Sequence, residues 1–175
     1  MNLSKSNLLK FYVIIAFVSL TVSCTKEQIS YIPSVPVHVE LDVVTDLAYL
    51  SVGGVVTIKP NPDTSNIEYS VLDYHNKKFP TALVPWQTYN NGILLYNPEP
   101  GIYLAFDMTC PYNALTDDCS INITSIPFMP ACPCCKSVFN LVFEGIPTDT
   151  SKAKKGLVQY NVTLVNSGTR LIISK

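Results

Sequence analysis

Five cysteines crowd into residues 110–135: Cys110, Cys119, Cys132, Cys134 and Cys135, three of them inside the run ACPCCKS. Sulfurs gathered this way serve one of two chemistries, since a thiolate metal site and a local disulfide knot both need them within a few ångströms of one another. Cysteines that only filled a core would be scattered. Cys132 and Cys135 have the C-x-x-C spacing of a metal-binding turn, but Cys110 and Cys119 are too far apart for a second such turn, so the two-knuckle zinc signature is incomplete. Five sulfurs cannot all pair within one chain, so a wholly disulfide arrangement leaves one thiol over.

Other chemistries find little support. There is no Ser-His-Asp set, no phosphate-cradling glycine loop and no carboxylate pair spaced for hydrolysis, so no enzymatic activity is expected. The two histidines, His38 and His75, lie far from the cysteines without a second ligand nearby and read as strand and surface residues. Asp117 and Asp118 read as solvated turn residues, and Tyr112, beside Pro111, as packing. Lys152, Lys154 and Lys155 read as a protected edge, and Trp86 with Pro85 and Tyr89 as core. A net charge of −1 with 14% charged residues leaves no basic footprint, and nucleic acid is not an expected partner.

The elements that must hold the cysteines are strands. Residues 37–44 (VHVELDVV) alternate, residues 47–58 (LAYLSVGGVVTI) form two apolar runs around Gly53 and Gly54, and residues 92–96 and 101–106 are short apolar runs. The last two are separated by Asn97-Pro98-Glu99-Pro100, a turn cluster unsuited to a central strand. Residues 138–143, 157–164 and 170–173 continue the theme, the last two joined by Asn166-Ser167-Gly168, a hairpin signal. No window sustains a helical period; residues 83–89 come nearest and are interrupted by Pro85. The reading is an all-β domain over residues 37–175, with residues 59–89 as a long loop or insertion.

The N-terminus carries a different message. Lys5 and Lys10 precede an apolar run over residues 11–22 that is short for a permanent span and has the layout of a secretory signal. Leu20-Thr21-Val22-Ser23-Cys24 resembles the lipobox of a bacterial lipoprotein. The resemblance implies removal of residues 1–23, lipidation of Cys24, a tether over residues 24–36, and attachment to a membrane of the cell envelope, as an outer membrane lipoprotein. Disulfides persist in such a compartment.

Thr109-Cys110-Pro111-Tyr112 and, further on, Cys132-Pro133-Cys134-Cys135-Lys136-Ser137-Val138-Phe139-Asn140 resemble the two cluster-binding boxes of Rieske 2Fe-2S domains, Cys-x-His and Cys-x-x-His-Gly-Ser-x-Phe-Asp. In these boxes the chain resembles the Rieske-like lipoproteins of Bacteroidetes. That resemblance implies a small antiparallel β-sandwich with two cysteine-bearing loops, and an electron-transfer role with a redox protein as partner. The departures fall on the ligands: Tyr112 and Cys135 occupy the histidine positions and Lys136 the glycine position. A centre with two histidine ligands cannot be built from these boxes.

Three readings stand. Four thiolates, Cys110, Cys119, Cys132 and Cys135, would hold a 2Fe-2S cluster at a lower potential than a Rieske centre. The same four sulfurs would bind structural zinc. Alternatively the metal is lost and disulfides tie the loops, giving a surface binding module. Respiratory Rieske domains join their cluster loops by a disulfide, and the resemblance places Cys119 and Cys134 where its halves would be, with or without metal. Export argues against a pre-inserted cluster, because the signal has no arginine for a twin-arginine route; the odd thiol argues for a metal.

Overall fold

A computed structural model describes residues 36–60, 69–72, 91–112, 114 and 118–175. The lipoprotein signal, Cys24, nearly all of the tether, and most of residues 59–89, with His75, Pro85, Trp86 and Tyr89, lie outside the described residues, as does Asp117.

The described chain is all-β, as the period-two patterning predicts. Nine strands form: β1 (His38–Asp42), β2 (Val55–Pro60), β3 (Tyr69–Leu72), β4 (Ile93–Glu99), β5 (Ile102–Asp107), β6 (Phe139–Asn140), β7 (Ile146–Pro147), β8 (Gln159–Val165) and β9 (Arg170–Ser174). Seven make one sheet in the order β1-β9-β8-β5-β4-β2-β3, and β6 and β7 make a separate ribbon. Every pairing is antiparallel. Strand β8 changes partner along its length: Gln159 and Tyr160 pair with β5, and residues from Asn161 onward pair with β9.

The sheet separates two cores. On one face Val39, Leu41, Val56, Ile58, Ile93, Leu95, Ala105, Leu171 and Ile173 pack together. On the other, Val55, Leu94, Tyr96 and Phe106 pack against Met108, Ile121, Phe139, Leu141, Leu157 and the buried cysteines. Ile93, Leu94, Leu95 and Tyr96 therefore bury alternate side chains on opposite faces, which is why this stretch reads as an unbroken apolar run. Burying each large side chain of this kind contributes about 1.5–3 kcal/mol.

Several boundaries differ from the sequence reading. Strand β1 stops at Asp42 because its carboxylate accepts the backbone N–H groups of Val44 and Thr45 at 2.9 Å each, turning the chain. Residues 47–54 form turns rather than a strand; Leu47 is buried from a turn, and the ladder resumes where Gly53 and Gly54 exchange hydrogen bonds with Asn97. Residues 97–99 belong to β4 and not to a free turn. The register shifts between Tyr96 and Glu99, and Pro98 lies within that irregularity, a position where its missing N–H is tolerated. Of residues 138–143 only Phe139 and Asn140 are strand; Leu141–Phe143 is one turn of 3-10 helix, with the Asn140 side chain accepting from the Val142 N–H. The hairpin at Asn166-Ser167-Gly168 forms, with all three residues at positive φ.

Candidate metal centre

Strand β5 delivers the first cysteine. Beyond Asp107 the chain leaves the sheet, and Thr109 pairs with Ser120, which brings Cys110 and Cys119 side by side. Cys110 N–H donates to the Cys119 carbonyl at 2.9 Å and Ile121 N–H to the Met108 carbonyl at 2.7 Å. Asn122 then pairs with Ala131, and Ala131 with Val138, closing the second loop around Cys132 to Ser137. Within that loop Cys132 N–H donates to the Ser137 carbonyl at 2.8 Å, and Lys136 N–H to the Cys132 carbonyl at 3.0 Å. Three one-residue bridges thus tie both loops to each other and to the end of β5.

The five sulfurs lie together. Cys119 and Cys134 form a disulfide across the two loops, with Cα atoms 6.4 Å apart. Cys110, Cys132 and Cys135 are free thiols, all buried, and their three sulfurs lie within 4.8 Å of one another. The sulfurs of Cys110 and Cys135 are 3.6 Å apart. Cys132 belongs to both groups, because its sulfur is also within 4.8 Å of those of Cys119 and Cys134. Cys134 is the exposed half of the disulfide and Cys119 the buried half.

The disulfide bears on the expected ligand set. Cys119 is expected both as a thiolate ligand and as half of a disulfide, and the two uses exclude each other: a sulfur in an S–S bond offers no thiolate. In the disulfide form the four-thiolate set shrinks to Cys110, Cys132 and Cys135.

The trio is set in a polar frame inside an apolar core. Cys132 Sγ accepts from the Cys135 N–H at 3.5 Å, and Cys135 Sγ lies 3.1 Å from Ser137 Oγ. Backbone hydrogen bonds also reach Cys110 Sγ from Tyr112 and Cys135 Sγ from Ser137. These donors act differently on the two outer thiols. Burial pushes the Cys110 thiol well above its ordinary range, and the hydrogen bond from Tyr112 offsets only part of it. Burial works against ionisation of Cys135 too, but hydrogen bonds from the Ser137 hydroxyl and backbone and from the Cys132 and Cys110 thiols outweigh it, and its thiol is lowered. The trio therefore has one thiol shifted toward ionisation and one shifted away from it. An incoming cation would favour thiolate at both.

No family model matches the chain, and no curated protein matches it. The resemblance to Rieske-type boxes is one of sequence motif alone. Lys136, in the glycine position of the second box, has φ +63°, a conformation that favours glycine.

Tyr112 is exposed and not packed as expected, and it supplies a backbone donor rather than a ligand atom. Asp118 accepts from the Asn91 side chain at 2.8 Å, which also donates to Thr109 Oγ1 at 3.1 Å, bracing the first loop. His38 is paired with Glu40 at 3.1 Å on the surface of β1. Two supporting groups have no role in the sequence reading. Ser137 is fully buried, and its hydroxyl oxygen accepts from the Ala153 N–H at 2.8 Å and from the Cys135 thiol at 3.1 Å. Asp107, at the end of β5, is buried with one oxygen accepting from the Thr109 N–H at 2.7 Å and the other from the Tyr160 hydroxyl. It fixes the corner from which Cys110 is presented, but its partner stands far along the chain.

Proposed function

We propose that this chain is a non-enzymatic, lipid-anchored protein of the cell envelope, built on a Rieske-like frame, whose two loops hold a thiolate-bound metal centre of the electron-transfer class. The observation that carries this reading is the trio itself: three buried free thiols with sulfurs mutually within 4.8 Å, framed by a backbone N–H donor and a hydroxyl contact. Hydrogen bonds aimed at sulfur are the surroundings that tune thiolate centres. The formed disulfide supports an oxidising compartment, as the lipobox-like N-terminus does.

The distances favour a single ion. Two thiolates on one zinc-like ion, each at about 2.3 Å, stand about 3.8 Å apart at a tetrahedral angle. The 3.6 Å between Cys110 and Cys135 is close to that value. The ligands of a 2Fe-2S cluster are divided between two irons, so a trio this compact suits one soft ion, iron, zinc or copper(I), better. When bound, iron or copper would supply one-electron chemistry, and zinc a structural tie. Cys110, Cys132 and Cys135 would be the ligands, with the fourth position open.

A second reading has its own support. Cys110 and Cys135 are close enough for a small side-chain movement to join them, and two disulfides with Cys132 left over would make a metal-free binding module. Metal and acid-labile sulfide analysis, with an absorption spectrum, of protein isolated from its native envelope separates the two. Bound metal in near-stoichiometric amount, lost in Cys132→Ser, is the expected result. Colourless, metal-free protein with at most one free thiol would overturn the metal centre and leave the disulfide module.

A further inference from the structure

The disulfide and the free trio are not independent, because Cys132 is common to both sulfur groups. We infer that the Cys119–Cys134 disulfide is a redox gate on the metal centre: oxidised, the chain offers three thiolates; reduced, it offers Cys119 as a fourth. This rests on the metal-centre reading and adds a second coordination state to it.

The chemistry balances with a dithiol as reductant. One thiolate of the dithiol attacks the Cys134 sulfur, forming a mixed disulfide there and expelling the Cys119 thiolate. The second thiol of the reductant then attacks its own partner sulfur and releases Cys134. Two electrons and two protons pass from the dithiol, which becomes a disulfide, to the two cysteines. Attack at Cys134 follows from exposure, since Cys134 is the accessible half of the bond and Cys119 is 8% exposed.

The same asymmetry selects Cys119 as the new ligand. Cys119 belongs to the apolar cluster that contains Cys110, Cys132 and Cys135, whereas Cys134 faces solvent. Its sulfur already lies within 4.8 Å of Cys132 Sγ, against the about 3.8 Å expected of two thiolates on one ion. A side-chain movement of up to about 1 Å closes the difference to Cys132; Cys119 does not lie within 4.8 Å of both Cys110 and Cys135, so its side chain must also turn toward them once the S–S bond opens. The loop is held at both ends of the move, by the hydrogen bond from Cys110 N–H to the Cys119 carbonyl and by the pairing of Thr109 with Ser120. Four thiolates around one ion form a closed site, and three leave it open to an exogenous ligand.

Cobalt(II) titration of the full-length chain reads the thiolate number through the intensity of the sulfur-to-cobalt charge-transfer band. Wild-type protein is expected to give a three-thiolate spectrum as isolated and a four-thiolate spectrum after reduction with a dithiol. Affinity should rise by at least the about 10–100-fold that losing even an outer-shell partner of a metal site costs. Cys134→Ser should show the four-thiolate state without reductant, and Cys119→Ser the three-thiolate state with or without it. Both variants lack the disulfide, so any loss of folding is shared and the difference between them reports the Cys119 thiolate alone. The gate is overturned if wild-type protein binds cobalt(II) with one spectrum and affinity in both redox states, or if Cys119→Ser responds to reductant as wild type does. If no form, reduced wild type included, develops a charge-transfer band, the metal centre itself falls and the gate with it.

Discussion

Lys136 shows how a single backbone angle can carry information about a site. It follows Cys135 with φ +63°, in the left-handed region, where an L side chain costs about 1–2 kcal/mol that glycine does not. The turn needs that conformation so that the Lys136 N–H reaches the Cys132 carbonyl and Cys135 faces Cys110. Lys136→Gly is therefore expected to raise stability by about 0.5–1 kcal/mol, after allowance for the greater freedom of glycine in the unfolded chain. Lys136→Ala should give no such gain. Urea unfolding of the three proteins decides it; equal gains from glycine and alanine would trace the effect to the lysine charge instead of the backbone. At this scale the sequence showed which sulfurs gather, because five cysteines within residues 110–135 have few other uses. It did not show their partition into one disulfide and three free thiols. That depends on distances across two loops, which spacing along the chain does not determine, and only the resemblance pointed to Cys119 and Cys134.

At the scale of elements, one close approach holds the site's supporting strands in register. Gly92 enters β4 at φ +94°, and a Cβ there would lie 2.4 Å from the Ile58 carbonyl oxygen of β2. Both the conformation and the contact exclude a side chain, and the Gly92 carbonyl accepts from the Met108 N–H at 3.0 Å, tying the start of β4 to the chain that leads into Cys110. Gly92→Ala is expected to cost about 3 kcal/mol or more, the positive φ alone accounting for about 1–3 kcal/mol. Differential scanning calorimetry should show the loss, and a cost below about 1 kcal/mol would mean that β2 and β4 separate easily. Strands that cross the sheet centre were legible as apolar runs, and the Asn166-Ser167-Gly168 hairpin as turn chemistry. Residues 47–54 misled because a turn can bury Leu47 as well as a strand can, and Pro98 misled because a bulge admits what a regular ladder refuses. Apolar content reports burial; hydrogen-bond partners decide whether the burial is extended.

Across the whole molecule, the sheet is a partition with a conventional core on one face and the cysteine loops on the other. The two sides are linked at Asp107 and Tyr160. Tyr160 packs in the first core, and its hydroxyl donates to the buried carboxylate that starts the first cysteine loop. Burial, then the charge of Asp107 and the hydrogen bond to it, push the Tyr160 hydroxyl well above its ordinary range. The consequence for stability has a definite sign. Above about pH 10 the tyrosine of the unfolded chain gives up its proton while that of the folded protein retains it. The unfolded state then binds fewer protons, so stability falls as pH rises. The contribution is fully present below the unfolded value and is lost on the alkaline side. Tyr160→Phe removes both effects. At neutral pH it should cost about 1–3 kcal/mol, because Asp107 is left buried without its hydroxyl donor. With rising pH the gap between variant and wild type should narrow, since only the wild type has a buried tyrosine proton to lose. The thiols titrate in both proteins and cancel in the comparison. Urea unfolding from pH 7 to about 11, at matched metal content, measures that gap; a gap that stays constant across the range would show that Tyr160 does not couple folding to alkaline titration.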